Sequence, residues 1–190
     1  LIKELKKWPG IGEKSAQRVA FHLLSTDIHS VTHLANTLVS LRKTIRYCDT
    51  CFNISLNNLC HICTDTKRNK SLLCIVAEPR DVFAIEKTQA YKGLYHVLGG
   101  LISPLDGIQP ETLRIQELIA RLKTNSFDEI LFAINPTVEG DTTQMYLSSI
   151  LEPLNLNLTK LAYGLPMGSD IEYADEITLT KAISARRKIQ

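Results

Sequence analysis

The sequence has no long apolar run, few glycines and prolines, and few aromatic side chains. Its longest continuous apolar stretch runs only from Leu72 to Ala77, whereas a membrane-spanning helix needs about 20 residues. Nine glycines and seven prolines among 190 residues are too few for a fibrous or linker-rich chain. Hydrophobic residues make up 44% and charged residues 22%, a balance that excludes disorder as the dominant state.

Other absences exclude whole classes of protein. No signal-peptide pattern opens the sequence, so we expect a soluble cytoplasmic protein. No Walker A loop occurs anywhere, which excludes a P-loop ATPase, and no arrangement specific to a serine or cysteine nucleophile is present. The sequence begins at Leu1 rather than Met, and we expect further residues before it.

The small net charge of +2 hides an asymmetry along the chain. Residues 1–70 carry 11 basic and 5 acidic side chains, whereas residues 71–190 carry 11 basic and 15 acidic ones. A basic front joined to a mildly acidic remainder indicates that a polyanion would be bound by the front of the chain.

Hydrophobic periodicity divides the chain into a helical front, a polar window and an α/β body. Apolar residues recur with helical spacing from Ala16 to Leu24 and from Val31 to Ile45. After the window, continuous apolar strands alternate with helices, which predicts a mostly parallel sheet covered on both faces. The predicted strands are 72–77, 94–98, 130–134 and 156–162, and the predicted helices are 79–89, 111–123 and 142–151.

A short motif in the front of the chain is typical of DNA binding. Gly10, Ile11 and Gly12 form a tight hairpin between two helices, and its backbone N–H groups, next to a helix N-terminus, suit a phosphate. Lys14 and Arg18 are four residues apart and therefore lie on one side of the second helix. The motif predicts a helix-hairpin-helix whose site is Gly10, Ile11, Gly12, Lys14 and Arg18. An ordinary turn between two helices is the alternative.

Four of the five cysteines lie in the polar window, as two CxxC pairs: Cys48 with Cys51, and Cys60 with Cys63. Two such pairs complete the tetrahedral sulfur shell that zinc favours, and four protein ligands leave no open position, so we expect one structural zinc ion. Two disulfides or unrelated cysteines are the alternative, which an intracellular location disfavours.

Acidic residues follow two of the predicted strands. Glu78 comes directly after the first strand, and Glu139 and Asp141 follow the strand that ends near Asn135. Such positions lie at the carboxyl edge of an open α/β sheet, where sites are built, and converging carboxylates could hold magnesium for phosphoryl transfer. Solvated surface acids are the alternative.

In this order, the motifs closely resemble the bacterial RecR family of recombination mediators over essentially the whole chain. One departure is Ala185, where the family pattern has glycine before the arginine. The resemblance rests on the following segments and residues: 9–12, 14–18, the four cysteines, 95–100, 103–108, 135–140, Gly164, Pro166, Gly168, Tyr173, Asp175, Thr178, Leu179 and Arg186.

The resemblance implies an α+β protein of several parts. These are a helix-hairpin-helix DNA-binding domain over 1–46, the four-cysteine zinc module over 47–70, a Toprim domain over 71–163 and a helical C-terminal segment over 164–190. It also implies a ring-shaped homotetramer that clamps single- and double-stranded DNA without sequence specificity, in association with the nucleoid. Its implied partners are RecO and RecF, with which the family promotes RecA loading at gaps.

The same resemblance bears on catalysis. Catalytic Toprim enzymes carry an Asp-x-Asp pair, and the matching positions here are Asn135 and Thr137. Because two carboxylates of the magnesium site are thus replaced by neutral groups, we expect a binding protein with no catalytic residues. Glu78, Glu139 and Asp141 would then form an acidic surface on the Toprim domain. A small metal-dependent Toprim nuclease or topoisomerase-like enzyme is the alternative.

Overall fold

A computed structural model of the chain describes residues 1–162, 164–186 and 188. The chain divides into two compact units, residues 1–45 and 46–190. The helices are α1 (Ile2–Leu5), α2 (Glu13–Ser25), α3 (Ile28–Thr44), α4 (His61–Thr64), α5 (Pro79–Thr88), α6 (Ile115–Thr124), α7 (Val138–Leu151) and α8 (Glu176–Ser184). The strands are β1 (Arg46–Tyr47), β2 (Ile54–Ser55), β3 (Leu72–Val76), β4 (Leu94–Val97), β5 (Glu129–Phe132) and β6 (Asn157–Lys160).

The first unit consists of α1, α2 and α3 and has almost no buried core. Asp27 caps α3 by accepting a hydrogen bond from the Ser30 N–H at 3.0 Å, which satisfies a backbone donor that the helix leaves free. The predicted helical spacing is confirmed, but the apolar residues on these helices stay exposed. Ala16 is the one fully buried side chain in this unit, and Leu24 is 81% exposed.

The second unit is built on a four-stranded sheet in the order β4-β3-β5-β6. All three strand pairs are parallel, so the predicted parallel sheet is confirmed. Successive side chains of a strand point to opposite faces, and both faces of this sheet are apolar. The inner strand β3 therefore reads as a continuous hydrophobic run, whereas the edge strand β6 is partly polar and partly exposed.

The two faces of the sheet pack against different partners. One face contacts α6 and α7 through a core that contains Leu73, Ile75, Leu98, Ile115, Leu118, Leu122, Ile130, Phe132, Leu147 and Leu151. The other face contacts α5 and the cysteine module, by which we mean residues 47–70. That second core contains Cys48, Cys51, Cys60, Ile62, Cys74, Val76, Val82, Tyr95 and Val97. The cysteine module thus takes part in covering the sheet.

The cysteine module also closes one edge of the sheet. β4 is an edge strand, and the Val97 N–H donates to the Cys51 carbonyl at 2.9 Å. Next to Cys51, the Phe52 ring lies edge-on to the His96 ring at 5.4 Å, and the Arg114 guanidinium lies 5.1 Å from the centre of the Phe52 ring. An exposed strand edge can pair with other chains, and the module occupies part of this one.

Two helices begin at positions that differ from the predicted ones. The helix predicted from 111 begins at Ile115, because Pro110–Thr112 forms a separate 3-10 turn and Leu113 is extended. The helix predicted from 142 begins at Val138. Its start is fixed by Thr137, whose hydroxyl accepts a hydrogen bond from the Gly140 N–H at 3.1 Å. The acids at 139 and 141 are therefore helical.

Within the described residues, none of the helices has the length and apolar character needed to cross a bilayer.

A pH-dependent contribution to stability is predicted from His96, which is buried and neutral. Its Nε2 lies 2.8 Å from the Arg114 carbonyl and must be the protonated nitrogen, since a carbonyl only accepts. Burial lowers the pKa of His96 to about 4, below the value of about 6.5 expected in the unfolded chain. This contribution is present above pH 6.5 and is lost as the pH falls towards 4, by up to about 3 kcal/mol.

The measurement is the free energy of unfolding of the wild type and His96→Gln between pH 7.5 and 4.5. The variant lacks the titrating group, so the difference between the two proteins should shrink as the pH falls. A difference that is constant with pH would contradict the prediction.

Candidate functional site

The hairpin between α1 and α2 has the geometry of an anion site. Gly10 has a φ of 78°, a conformation that favours glycine, and the Ile11 N–H donates to the Trp8 carbonyl at 3.2 Å. Gly12 is the N-cap of α2, and no side chain caps this helix. The first backbone N–H groups of α2 are thus left for an outside acceptor, and the helix dipole favours a negative one.

Two basic side chains extend this site along α2. Lys14 and Arg18 are both exposed, and neither takes part in an ion pair among the described residues. The acid closest to them in sequence, Glu13, is paired with Lys6. That pairing lowers the pKa of Glu13 and keeps its charge engaged. The geometry fits the predicted site, whose role in DNA binding stays a prediction.

The four predicted ligand cysteines lie together. The Sγ atoms of Cys48, Cys51, Cys60 and Cys63 are all within 4.8 Å of one another, and those of Cys51 and Cys60 are 3.5 Å apart. Sulfurs bound to one ion at about 2.3 Å in a tetrahedron would be about 3.8 Å apart. The spacing therefore fits a single metal ion with four sulfur ligands, and all five cysteines are free thiols.

The chemistry of the cluster also favours a cation. The hydrogen bond between the sulfurs of Cys51 and Cys60 raises the pKa of the Cys51 thiol and lowers that of the Cys60 thiol. One proton shared by the two sulfurs is more favourable than two neighbouring thiolates of like charge. A bound metal ion replaces such protons. In addition, the Cys60 N–H donates to the Cys48 sulfur at 3.3 Å, an interaction that stabilises negative charge on sulfur.

A partly buried ion pair fixes the end of the cysteine module to the sheet. Arg68 pairs with Glu86 of α5 and donates to the Gly93 carbonyl at 3.2 Å. Glu86 in turn accepts from the Tyr95 hydroxyl at 2.7 Å. Arg68 and Glu86 thus connect the module to a backbone carbonyl and to the Tyr95 hydroxyl, and these interactions hold it in one position on β4 and α5.

The three acids of the predicted acidic surface lie after neighbouring strands but do not form a metal cluster. Glu78 follows β3 and pairs with Arg80, with 2.9 Å between Oε2 and Nε. Glu139 and Asp141 are exposed in the first turn of α7, where negative charge stabilises the helix dipole. Among the described residues, the four cysteines are the one group of three or more metal-ligating side chains.

The two neutral positions ahead of Glu139 have structural roles here. The Thr137 hydroxyl caps α7, and the Thr137 N–H donates to the Asn135 carbonyl at 2.8 Å. That carbonyl lies against Gly140, where an added Cβ would be only 2.0 Å from the oxygen. The segment from Asn135 to Gly140 is thus shaped by a tight turn into α7.

Sequence reasoning did not find two groups of residues that the structure makes prominent. One is the set of exposed apolar side chains on α2 and α3, which periodicity assigns to a helix face without saying what covers that face. The other is the side of α6 that faces the cysteine module, where Arg114 contacts Phe52. An aromatic–arginine interaction between distant segments leaves no periodic signal.

Comparison with known proteins identifies three matched regions. A RecR helix-hairpin-helix family matches residues 1–42, the Toprim domain family matches residues 71–162, and a RecR C-terminal family matches residues 164–187. The chain is 49% identical over 190 residues to the recombination protein RecR of Pelotomaculum thermopropionicum, covering 100% of this chain and 95% of that protein.

Other relatives give the same result. The recombination proteins RecR of Streptomyces coelicolor and Acidothermus cellulolyticus are 49% and 50% identical over 187 and 189 residues. These alignments cover 98% and 100% of this chain, and 94% and 95% of the relatives.

Loss of one ligand should release the metal and destabilise the second unit. We expect Cys51→Ser to bind less than one metal ion per chain and to lose about 4 kcal/mol or more of unfolding free energy, because the metal's binding energy is part of the folding energy. The measurements are elemental analysis and denaturant unfolding.

Cys74→Ser is the matched control, since Cys74 is a fully buried thiol outside the cluster. It should lose stability but keep its metal. A Cys51→Ser protein with a full complement of metal, or a wild-type protein that is fully folded without metal, would contradict the assignment.

Proposed function

The chain belongs to the RecR family of recombination proteins, and from this premise we propose that it is a DNA-binding mediator of recombinational repair that acts as a clamp without catalysis of its own. The observation that carries the proposal is the uncapped N-terminus of α2 beside the exposed Lys14 and Arg18. Backbone N–H groups and side-chain cations that lie close together can bind phosphates, and such contacts do not distinguish one base from another. Binding should therefore be independent of sequence and should include single- and double-stranded DNA.

The same family membership supports the partner and location parts of the proposal. We infer that the protein acts at the nucleoid with RecO and RecF to promote RecA loading at gaps. Glu139 and Asp141 support binding of a protein there, because both are exposed and neither takes part in an ion pair among the described residues. With Glu78 they would offer a basic partner an acidic surface.

We further infer that the metal of the cysteine cluster is zinc. Four thiolates in a tetrahedron are the donor set of structural zinc sites, and the spacing of the sulfurs fits it. With four protein ligands, the ion would have no open position for a substrate. Zinc would then hold the cysteine module together. Domain boundaries at residues 46 and 70 would separate this module from its neighbours, and a further boundary at residue 163 would end the Toprim domain.

Two separate apolar surfaces support assembly into a closed homotetramer. In the first unit, the N-terminal apolar surface consists of Phe21, Leu24 and Ile28, which are 70%, 81% and 71% exposed. In the second unit, the C-terminal apolar surface consists of Met167, Tyr173 and Ile177, which are 103%, 83% and 70% exposed. Two different self-complementary surfaces close four chains into a tetramer when their two-fold axes are perpendicular, and such a tetramer can form a ring around DNA.

DNA binding is tested with the double variant Lys14→Ala/Arg18→Ala. We expect weaker binding to every DNA sequence and a smaller slope of log K against log salt, by about 0.7–0.9 for each phosphate that the variant no longer neutralises. A tetramer presents the site four times, so the total change is larger. The measurement is a salt titration of binding to gapped and linear DNA.

The control is Lys87→Ala/Lys123→Ala, which removes two exposed cations from the second unit and should leave affinity and slope nearly unchanged. If the first double variant bound as the wild type does, the DNA surface would lie elsewhere on the protein.

Assembly is tested with charges in the two apolar surfaces. Leu24→Glu and Ile177→Glu should each convert the tetramer to a dimer, and the combined variant should be a monomer, because a buried unpaired carboxylate is costly. Light scattering after size exclusion gives the mass. Leu56→Glu, at an equally exposed position in the cysteine module, should stay tetrameric. A wild-type monomer would contradict this part of the proposal.

The absence of catalysis is tested by incubation with supercoiled, linear and gapped DNA in magnesium or manganese. We expect no nicking or relaxation, because two-metal chemistry needs converging carboxylates and Asn135 and Thr137 are neutral. Activity that follows the protein through purification and disappears in Glu78→Ala would favour a metal-dependent Toprim nuclease instead.

A further inference from the structure

Arg121 of α6 is a buried cation without an acidic partner. Arg121 is only 8% exposed, and no carboxylate among the described residues lies within ion-pair distance of its guanidinium. A charge removed from water in this way is costly unless a negative group lies near it. The position of Arg121 indicates which group that is.

The Arg121 side chain reaches the outer edge of β4. Its Nη1 donates to the Tyr95 carbonyl at 2.6 Å, and on the same strand the Val97 N–H donates to the Cys51 carbonyl at 2.9 Å. Residues two apart on a strand turn their backbone groups to the same side and are about 7 Å apart. The guanidinium and the ligand residue Cys51 are therefore neighbours on one strand edge.

A second interaction places the same side of α6 against the cysteine module. Arg114 lies seven residues before Arg121, about two helical turns, and so on the same side of the helix. Its guanidinium lies over the Phe52 ring, and Phe52 follows Cys51 in the chain. One contact with the cysteine module and one with β4, two turns apart, thus place this side of α6 beside the strand edge to which the module is attached.

The charge of the filled cluster matches this arrangement. Four thiolates and one divalent ion leave a net charge of −2, in a site where Cys48 and Cys51 are fully buried. Burial lowers the pKa of Arg121, and the thiolates of Cys63, Cys51, Cys48 and Cys60 oppose that effect. The cysteines of the cluster are thus among the groups that favour the charged form of Arg121.

We propose that Arg121 is the counter-charge of the four-cysteine metal centre, and that its guanidinium, held at the edge of β4, stabilises the doubly negative centre and raises its affinity for metal. The inference rests on the metal centre of the proposed function. Arg121 would then be a positioning and charge-compensating residue and not a metal ligand. It lies on α6, which is outside the segment that contains the two CxxC pairs.

The competing explanation is packing alone, since the guanidinium also lies 5.8 Å from the centre of the Phe127 ring. The two explanations predict different effects for substitutions that remove or keep the positive charge of residue 121. Arg121→Met keeps much of the length and removes the charge, whereas Arg121→Lys keeps the charge. Leu118→Ala, one turn earlier on α6 and fully buried, removes packing and leaves every charge in place.

The experiment measures zinc affinity of each folded protein by competition with a chromophoric chelator, with unfolding measured in parallel. We expect Arg121→Met to bind zinc about 10–100-fold more weakly, the usual effect of losing a group that supports metal ligands. Arg121→Lys should stay close to the wild type. Leu118→Ala should be less stable but keep wild-type zinc affinity. Equal affinities of Arg121→Met and the wild type, or equal losses in the Met and Lys variants, would overturn the proposal.

A double-mutant cycle tests the charge directly. Cys63→His would give a three-cysteine, one-histidine site and reduce the net charge to −1, so Arg121→Met should cost less affinity in that background than in the wild type. Independent, additive effects would overturn the proposal. If Arg121→Met does not fold alone, Cys63→His should restore folding of the double variant, and failure to do so would count against the proposal.

The outcomes separate this inference from the proposed function. A wild-type protein that binds no metal would refute the metal centre itself. A wild type that binds metal with an affinity that does not depend on Arg121 would refute the counter-charge alone.

Discussion

Four thiols must share one small volume for the cysteine module to fold, and the second unit depends on that requirement. The module's regular elements are short: β1 and β2 have two residues each and α4 has four. A segment of this size cannot form an adequate core alone. It is held by the cluster, by packing against one face of the sheet, and by the hydrogen bond from the edge of β4 to Cys51. Three of the four clustered cysteines, Cys48, Cys51 and Cys60, are thus also core residues of the second unit.

The proposed DNA site and the Toprim sheet lie in different units of the chain. The exposed Lys14 and Arg18 lie on α2 in the first unit, whereas the neutral residues Asn135 and Thr137 follow β5 at the carboxyl edge of the sheet. Thr137 caps a helix and Gly140 makes room for the Asn135 carbonyl. In the proposed function, the second unit would offer two surfaces to other molecules, an acidic one near Glu139 and an apolar one near Tyr173.

Much of this was predictable from the sequence because it depends on local patterns. The two CxxC pairs predicted the cluster, apolar runs predicted the parallel sheet, and Gly10 and Gly12 predicted the hairpin. Other features depend on interactions between distant segments. The start of α7 depends on the Thr137 cap. Helical spacing places Leu24 on the apolar face of α2 but does not tell whether another segment covers that face. The approach of Arg121 to the edge of β4 joins α6 to a strand 26 residues away, and neither periodicity nor motif spacing encodes it.

The most direct test of the account is hydrogen exchange, measured by mass spectrometry on the metal-loaded protein with and without gapped DNA. Phosphates bound by the backbone N–H groups at the start of α2 should slow the exchange of the amides from Gly12 to Arg18 when DNA is bound. The amides of β3 and β5 should be unchanged. Unchanged exchange across α2, with new protection around Glu78 and Glu139 instead, would contradict it.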